Sequence, residues 1–260
     1  MGMETPESGM IATIIMAAGT RPMTSSPSRV HPLRALLFDA GNTLLQMNYA
    51  AIAEHLASRG HVVTAHAVAD AEHRARVRVD ADLTTGSSTE STDTHERYLR
   101  YVLVHLGITG EEDVLDLARW RRGYNVPVGL WNEAVPEAAA ALARAKAAGL
   151  IVGVISNSNG TVRSILETTG LARDVDFVVD SGIVGVEKPD PRIFHLALEH
   201  ARVPAAAACY VGDLYSVDVI GARRAGLDAV LLDPRGYWGP RDCVLARGIE
   251  DAVRLCLSRI

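Results

Sequence analysis

Asp39 closes the apolar run Leu36-Leu37-Phe38 and opens the loop Ala40-Gly41-Asn42-Thr43-Leu44. A strand ending in a carboxylate, followed by a tight glycine-containing turn, sets a nucleophile beside backbone N–H groups that can hold an anion. Three more reactive groups follow apolar runs further along the chain. Ser156 follows Val154-Ile155, Lys188 stands in Gly185-Val186-Glu187-Lys188-Pro189, and Asp213 and Asp218 share Gly212-Asp213-Leu214-Tyr215-Ser216-Val217-Asp218. Asp39 and Asp213 are oxygen donors of the kind Mg²⁺ prefers. Lys188 supplies a fixed positive charge and Ser156 a hydroxyl donor. Phosphoryl transfer needs little beyond such positioning and neutralisation of charge. Singly these residues read as a helix cap, a turn serine and a solvated lysine; their shared placement at strand ends makes them a set.

The elements that must position them alternate. Strands are predicted at Ala35–Phe38, Leu150–Ile155, Phe177–Val179, Cys209–Val211 and Ala229–Leu232. All are short and apolar without polar alternation, as parallel strands covered on both faces should be. Helices are predicted at Val135–Ala148, Thr161–Thr169, Pro191–Ala201, Ser216–Ala225 and Ile249–Leu257, with Gly149 and Gly226 stopping the first and fourth. The pattern is α/β, a doubly wound parallel sheet of Rossmann-like plan. Between Gln46 and Glu133 the strand signal vanishes. Helices are expected there at Ala50–Ser58, Ala65–Val79, Asp93–Leu106 and Glu111–Arg122, with a polar loop at Thr84–Thr89. The expected division is a mobile N-terminal extension at 1–33, an α/β core at 34–46 and 134–260, and a helical cap domain at 47–133. Ligands of doubly wound sheets bind at the carboxyl ends of the strands, so the inserted helices should cover the site.

The 260 residues are 48% hydrophobic and 22% charged, enough for a sizeable core. A net charge of −5 gives no electrostatic case for nucleic acid or an anionic membrane. No apolar run approaches the roughly 18 residues of a membrane span. Cys209, Cys243 and Cys256 lack metal-type spacing and read as reduced thiols of a cytoplasmic protein, Cys209 buried in a strand. The only lysines are Lys146 and Lys188. No heptad or repeat declares an oligomeric state.

Together these motifs resemble those of the haloacid dehalogenase-like superfamily, over about residues 34–240, with an α-helical cap inserted after the first motif. The resemblance implies Asp39 as the nucleophile of a covalent aspartyl intermediate, with Ser156 and Lys188 stabilising the transferred group. It implies Mg²⁺ held by Asp39, the backbone carbonyl of Gly41 and Asp213, with Asp218 as the partner of Asp213. Thr43 would orient the nucleophile loop, and Thr43, Ser156, Asn157 and Lys188 would bind substrate. The implied activity is removal of phosphate from a small phosphorylated metabolite.

Gly41 departs from that pattern. Phosphatases of the superfamily carry a second aspartate there as general acid and base, assistance worth ~10²–10⁴ in rate. Poor leaving groups should therefore be hydrolysed slowly unless a cap histidine (His55, His61, His66, His73 or His95) substitutes. Phosphonate cleavage through a cap lysine is excluded, since no lysine lies between Gln46 and Glu133. A 2-haloacid dehalogenase would use a cap arginine, for which Arg59, Arg74, Arg76 and Arg78 are available. Gly212-Asp213 with Asp218 favours the Mg²⁺ branch. A weakly active protein that binds a phosphorylated ligand is the remaining alternative.

Overall fold

In the computed structural model, residues 1–2, 32–83 and 88–258 are described. The chain divides into Met1–Val30, of which Met1 and Gly2 are described and exposed, and His31–Ile260, which carries the sheet, the helices and the site. Most of the expected N-terminal extension lies outside the described residues. Leu33, assigned to it, is buried in the core.

Six strands form one parallel sheet: β1 (Ala35–Phe38), β4 (Ile151–Ser156), β5 (Phe177–Asp180), β6 (Ala208–Gly212), β7 (Asp228–Leu232) and β8 (Val244–Ala246), in the order β5-β4-β1-β6-β7-β8. Alternate residues of β1 enter two different cores, which explains the missing polar alternation. Leu36 and Phe38 pack with residues of α5 (Ala138–Ala147), α6 (Val162–Thr168) and α10 (Ile249–Leu257). Ala35 and Leu37 pack with α8 (Pro191–Ala201) and α9 (Ile220–Arg224). Chain order reverses at β1, which lies between β4 and β6, and such a switch point opens a crevice at the carboxyl ends.

The helical segment comprises α1 (Tyr49–Ser58), α2 (Ala65–Leu83), α3 (Thr92–His105) and α4 (Glu111–Gly123). It has its own apolar cluster, including Ile52, Leu56, Val68, Val79, Leu99 and Leu103. The chain enters and leaves it through an antiparallel ribbon of β2 (Leu45–Met47) and β3 (Trp131–Ala134), pairing Leu45 with Ala134 and Gln46 with Glu133. These short strands were not expected, because three or four residues carry too little periodicity. The ribbon straddles both expected domain boundaries.

Two further elements were not anticipated: the short β8, and α7 (Ser181–Val184), capped by Asp180. The helix expected from Ser216 begins as a wide π-type turn, Tyr215–Val219, before α9. Among the described residues no helix is long and apolar enough to cross a membrane.

Candidate active site

Asp39 leaves β1 with its N–H donating to the Val211 carbonyl at 2.8 Å, which ties the first loop residue to β6. The loop then turns through Asn42, whose φ of 54° is left-handed, a conformation asparagine tolerates better than most residues. Ser156 ends β4 and Asp213 follows β6, so three neighbouring strands deliver Asp39, Ser156 and Asp213 to one place.

Lys188 arrives from the loop before α8 and is locked by Asn157. The Lys188 N–H donates to Asn157 Oδ1 at 2.7 Å, and Asn157 Nδ2 donates to the Lys188 carbonyl at 2.9 Å. The other bond of that amide nitrogen goes to Thr89 Oγ1 at 2.8 Å. Lys188 Nζ donates to Asp39 Oδ1 at 2.5 Å, Asp218 Oδ1 at 2.8 Å and the Tyr210 hydroxyl at 2.9 Å. Those three bonds use every hydrogen of the ammonium. Asp218 Oδ2 accepts the N–H groups of Asp213 at 3.1 Å and Leu214 at 2.9 Å, which fixes the loop carrying Asp213. A Cβ on Gly212 would overlap the Asp218 carboxyl, so only glycine allows this approach.

Two buried cations, Lys188 and Arg76, face four buried carboxylates, Asp39, Asp213, Asp218 and Glu72, and cannot compensate them all. Burial pushes Asp39 up to about 6; Lys188 partly offsets this, while Asp218 adds to it. Burial likewise holds Asp213 well above the ordinary carboxylate range, opposed by Arg76 and reinforced by Asp39 and Asp218. Burial alone would lower Lys188, yet Asp218 and Asp39 outweigh it and keep the amine protonated.

One oxygen from each of Asp39, Asp213 and Asp218 lies within 4.8 Å of the others. This crowded set of hard oxygen donors, short of positive charge, fits Mg²⁺. Both Asp218 oxygens are already hydrogen-bonded, so Asp39 and Asp213 retain the greater capacity to ligate.

The raised Asp39 has a measurable consequence without metal. Its folded pKa exceeds its unfolded one, so the native state binds more protons between about pH 4 and 6 and loses stability as pH rises through that window. In chelator-containing buffer, Asp39→Asn should melt higher than wild type at pH 7, and the gap should close by pH 4. A gap independent of pH would contradict this assignment.

A second network descends from the helices. Arg76 and Glu72 of α2, both buried, pair at 2.7 Å, and Arg76 Nε reaches Asp213 Oδ2 at 3.3 Å. Tyr49 donates to Glu72 at 3.0 Å, and the Tyr98 hydroxyl also bonds it. Asn42 Nδ2 donates to Asp213 Oδ2 at 3.3 Å, while Trp131 Nε1 donates to Asn42 Oδ1 at 2.9 Å. The indole of Trp131 covers Gly41, whose added Cβ would stand 3.5 Å from it.

A cavity of about 600 Å³ opens between sheet and helices, with Asp39, Gly41, Ser156, Lys188 and Asp213 on its wall. Asn157 and Asp218 also line it. Thr43 does not: it is fully buried, its hydroxyl has no partner among the described residues, and it stands off the wall, contrary to its expected place beside substrate. Of the four arginines considered, only Arg76 reaches the site. Arg59 pairs with Glu112, Arg74 with Asp70, and Arg78 lies over the Tyr101 ring.

Among the five histidines, only His95 lines the cavity. Burial, aided by Arg121, pushes it down to about 3, so it is neutral at physiological pH. Tyr210, Glu72 and the bridging role of Asn42 were missed from residue types alone. A phenol within an apolar strand and the i,i+4 spacing of Glu72 and Arg76 were the available signals.

Known proteins resemble this chain over most of its length. The haloacid dehalogenase-like hydrolase family profile matches residues 33–226. Haloacid dehalogenase-like hydrolase domain-containing protein 3 of Bos taurus is 30% identical over 207 residues, covering 77% of this chain and 82% of the relative. The ribulose-1,5-bisphosphate 5-phosphatase of Halopiger xanaduensis is 33% identical over 212 residues, covering 77% and 84%. The phosphoserine phosphatase of Thermus thermophilus is 43% identical over 99 residues, covering 39% and 41%. Among solved structures, a HAD-hydrolase of Bacillus subtilis bound to magnesium superposes with a TM-score of 0.61 at 18% identity, covering 87% of this chain and 99% of its own, a likeness of fold. A parallel sheet that delivers Asp39, Ser156 and Asp213 to one cavity, with Lys188 joining from the loop before α8, agrees with these matches: the chain belongs to the haloacid dehalogenase-like hydrolase family.

Proposed function

We propose that the protein is a Mg²⁺-dependent phosphatase that cleaves a small phosphorylated metabolite through an aspartyl-phosphate on Asp39. The observation that carries this reading is Lys188 Nζ bonded to Asp39 at 2.5 Å on the wall of a cavity that also holds Asp213 and Ser156. Two of the relatives bear phosphatase names, which supports the same chemistry.

In this reading Lys188 engages one oxygen of Asp39 and fixes the carboxylate for attack, while Ser156 donates to a phosphoryl oxygen. Asp39, Asp213 and the Gly41 carbonyl would hold Mg²⁺ with Asp218 behind them, and a bound ion would supply charge neutralisation for the phosphoryl group. The four helices act as the cap over residues 47–133 and exclude water from the cavity.

Neither the Gly41 position nor the cavity histidine supplies the proton of the missing aspartate, and Glu90, pushed up to about 7 by burial, lies on the cavity wall with Arg121 as its strongest charged neighbour. Gly41 has no side chain, Trp131 covers it, and His95 is held neutral. Aryl phosphates, whose leaving groups need no proton, should therefore be cleaved far faster than alkyl phosphates. The experiment is phosphate release from 4-nitrophenyl phosphate and from a simple alkyl phosphate, with Mg²⁺ or chelator, by wild type and Gly41→Asp. We expect Mg²⁺-dependent turnover and an alkyl-phosphate rate raised ~10²-fold by Gly41→Asp, the Cβ being accommodated at 3.5 Å from the indole. Absence of phosphate release from both substrates would sink the phosphatase reading.

One observation favours a second reading. Arg76 sets a guanidinium beside Asp213, as a metal-independent haloacid hydrolase would need near its leaving halide. Chloride release from 2-chloropropionate in chelator separates the two.

A further inference from the structure

Arg121 differs from the paired arginines of the helical segment. Arg59, Arg74, Arg76, Arg97, Arg100 and Arg122 each have a carboxylate partner. Arg121, two residues from the end of α4, is half-buried and lines the cavity, and its guanidinium has no hydrogen bond or ion pair among the described residues. Glu90, also on the cavity wall, is the carboxylate whose field it feels most, without ion-pair contact. Loss of hydration weakens the hold of the guanidinium on its proton, and neighbouring Arg122 adds to this. A partly desolvated cation without a partner is costly, and an anion delivered to it offsets that cost. Neutral His95 and the ring of Tyr124 share the wall and complete a polar and aromatic surround.

The phosphoryl group has its own place at Asp39, Ser156 and Lys188, on the sheet side of the cavity. We propose that Arg121 binds a second anionic group of the substrate, a carboxylate or a second phosphoryl group, from the helical side of the same cavity. The inference rests on the phosphatase reading and narrows its substrate class to compact molecules with two anionic ends. About 600 Å³ accommodates such a molecule, and the planar guanidinium fork matches either oxyanion bidentately.

The test compares kcat and KM for phosphoglycolate, a sugar bisphosphate and ethyl phosphate in wild type, Arg121→Gln and Arg121→Lys. Wild type should prefer a doubly anionic substrate over ethyl phosphate. Arg121→Gln should reduce that preference ~10-fold or more, mainly through KM, and Arg121→Lys should restore part of it. The better of the two anionic substrates identifies the carboxylate or phosphoryl source. No preference in wild type, or an equal loss on all substrates in Arg121→Gln, overturns the inference.

A ligand readout needs no turnover. Phosphonoacetate or methylenediphosphonate should raise the melting temperature of wild type more than methylphosphonate at equal concentration, and Arg121→Gln should abolish that difference; equal shifts of all three in wild type, or a difference that survives in Arg121→Gln, overturn the inference. If 4-nitrophenyl phosphate is not hydrolysed, the phosphatase reading fails, while this comparison still decides the role of Arg121.

Discussion

Asp39→Asn should lower kcat for 4-nitrophenyl phosphate by roughly 10⁴-fold or more, on the scale of losing a covalent nucleophile. Asparagine keeps the size of the side chain and an oxygen for Lys188, so the cavity should stay intact. Its amide cannot form an acyl phosphate under these conditions. The neighbouring Asp213 is poorly placed to substitute, since Arg76 and Asn42 hold its Oδ2 and burial favours its protonated form. Inorganic phosphate should bind at least as tightly to the variant, because one negative charge facing the anion is gone. Calorimetry with phosphate and steady-state kinetics test both halves. Residual turnover within tenfold of wild type would remove Asp39 from the covalent role.

Lys188→Met should damage both folding and activity. Removing one partner of a buried ionic group typically costs about 3–5 kcal/mol, here because Asp39 and Asp218 would face each other without their shared ammonium. For a chain of this size that is a melting temperature lower by ~10 °C. The sign with pH follows from the carboxylates. Without the ammonium, Asp39 is pushed above its wild-type value of about 6, so the variant takes up its proton at higher pH and the deficit should shrink as pH falls from alkaline values toward 6, then level off. Turnover should fall ~10³-fold, the scale of losing a preorganised electrostatic contact. The other lysine is a control. Lys146 pairs with Asp176 at 2.7 Å in a solvent-open position, and Lys146→Met should cost less than ~1 kcal/mol. Equal losses in the two variants would contradict the electrostatic role of Lys188.

The sheet and the residues around Asp39 were legible for a common reason: short apolar runs ending in polar residues define parallel strands and their carboxyl ends together. Pro191–Ala201 was placed to the residue because Asp190 caps it and proline opens it. The ribbon at Leu45–Met47 and Trp131–Ala134 was not, because its pairing joins segments far apart in sequence and each strand is too short to show a period. Thr43 illustrates another limit. Its place in the loop was visible, but the direction of its hydroxyl depends on the turn through Asn42. Arg76 stood among four equivalent arginines, and only the packing of α2 against the π-type turn singles it out. There Asp80 accepts the Ser216 N–H at 2.7 Å, bringing α2 down onto the loop of Asp213. The neutral state of His95 likewise depends on its burial and, second, on Arg121, 26 residues away in sequence.

Trp131 belongs to the ribbon rather than to the helices it introduces. Its indole is hydrogen-bonded to Asn42 and lies over Gly41, so the wall of the cavity beside Asp39 is tied to the loop that carries the nucleophile. Arg121, on α4, lines the cavity from the helical segment instead. Changes of sequence in α3 and α4 can therefore lengthen or shorten the accepted molecule without disturbing the reacting end. In this architecture, reach is adjustable and reaction geometry is conserved.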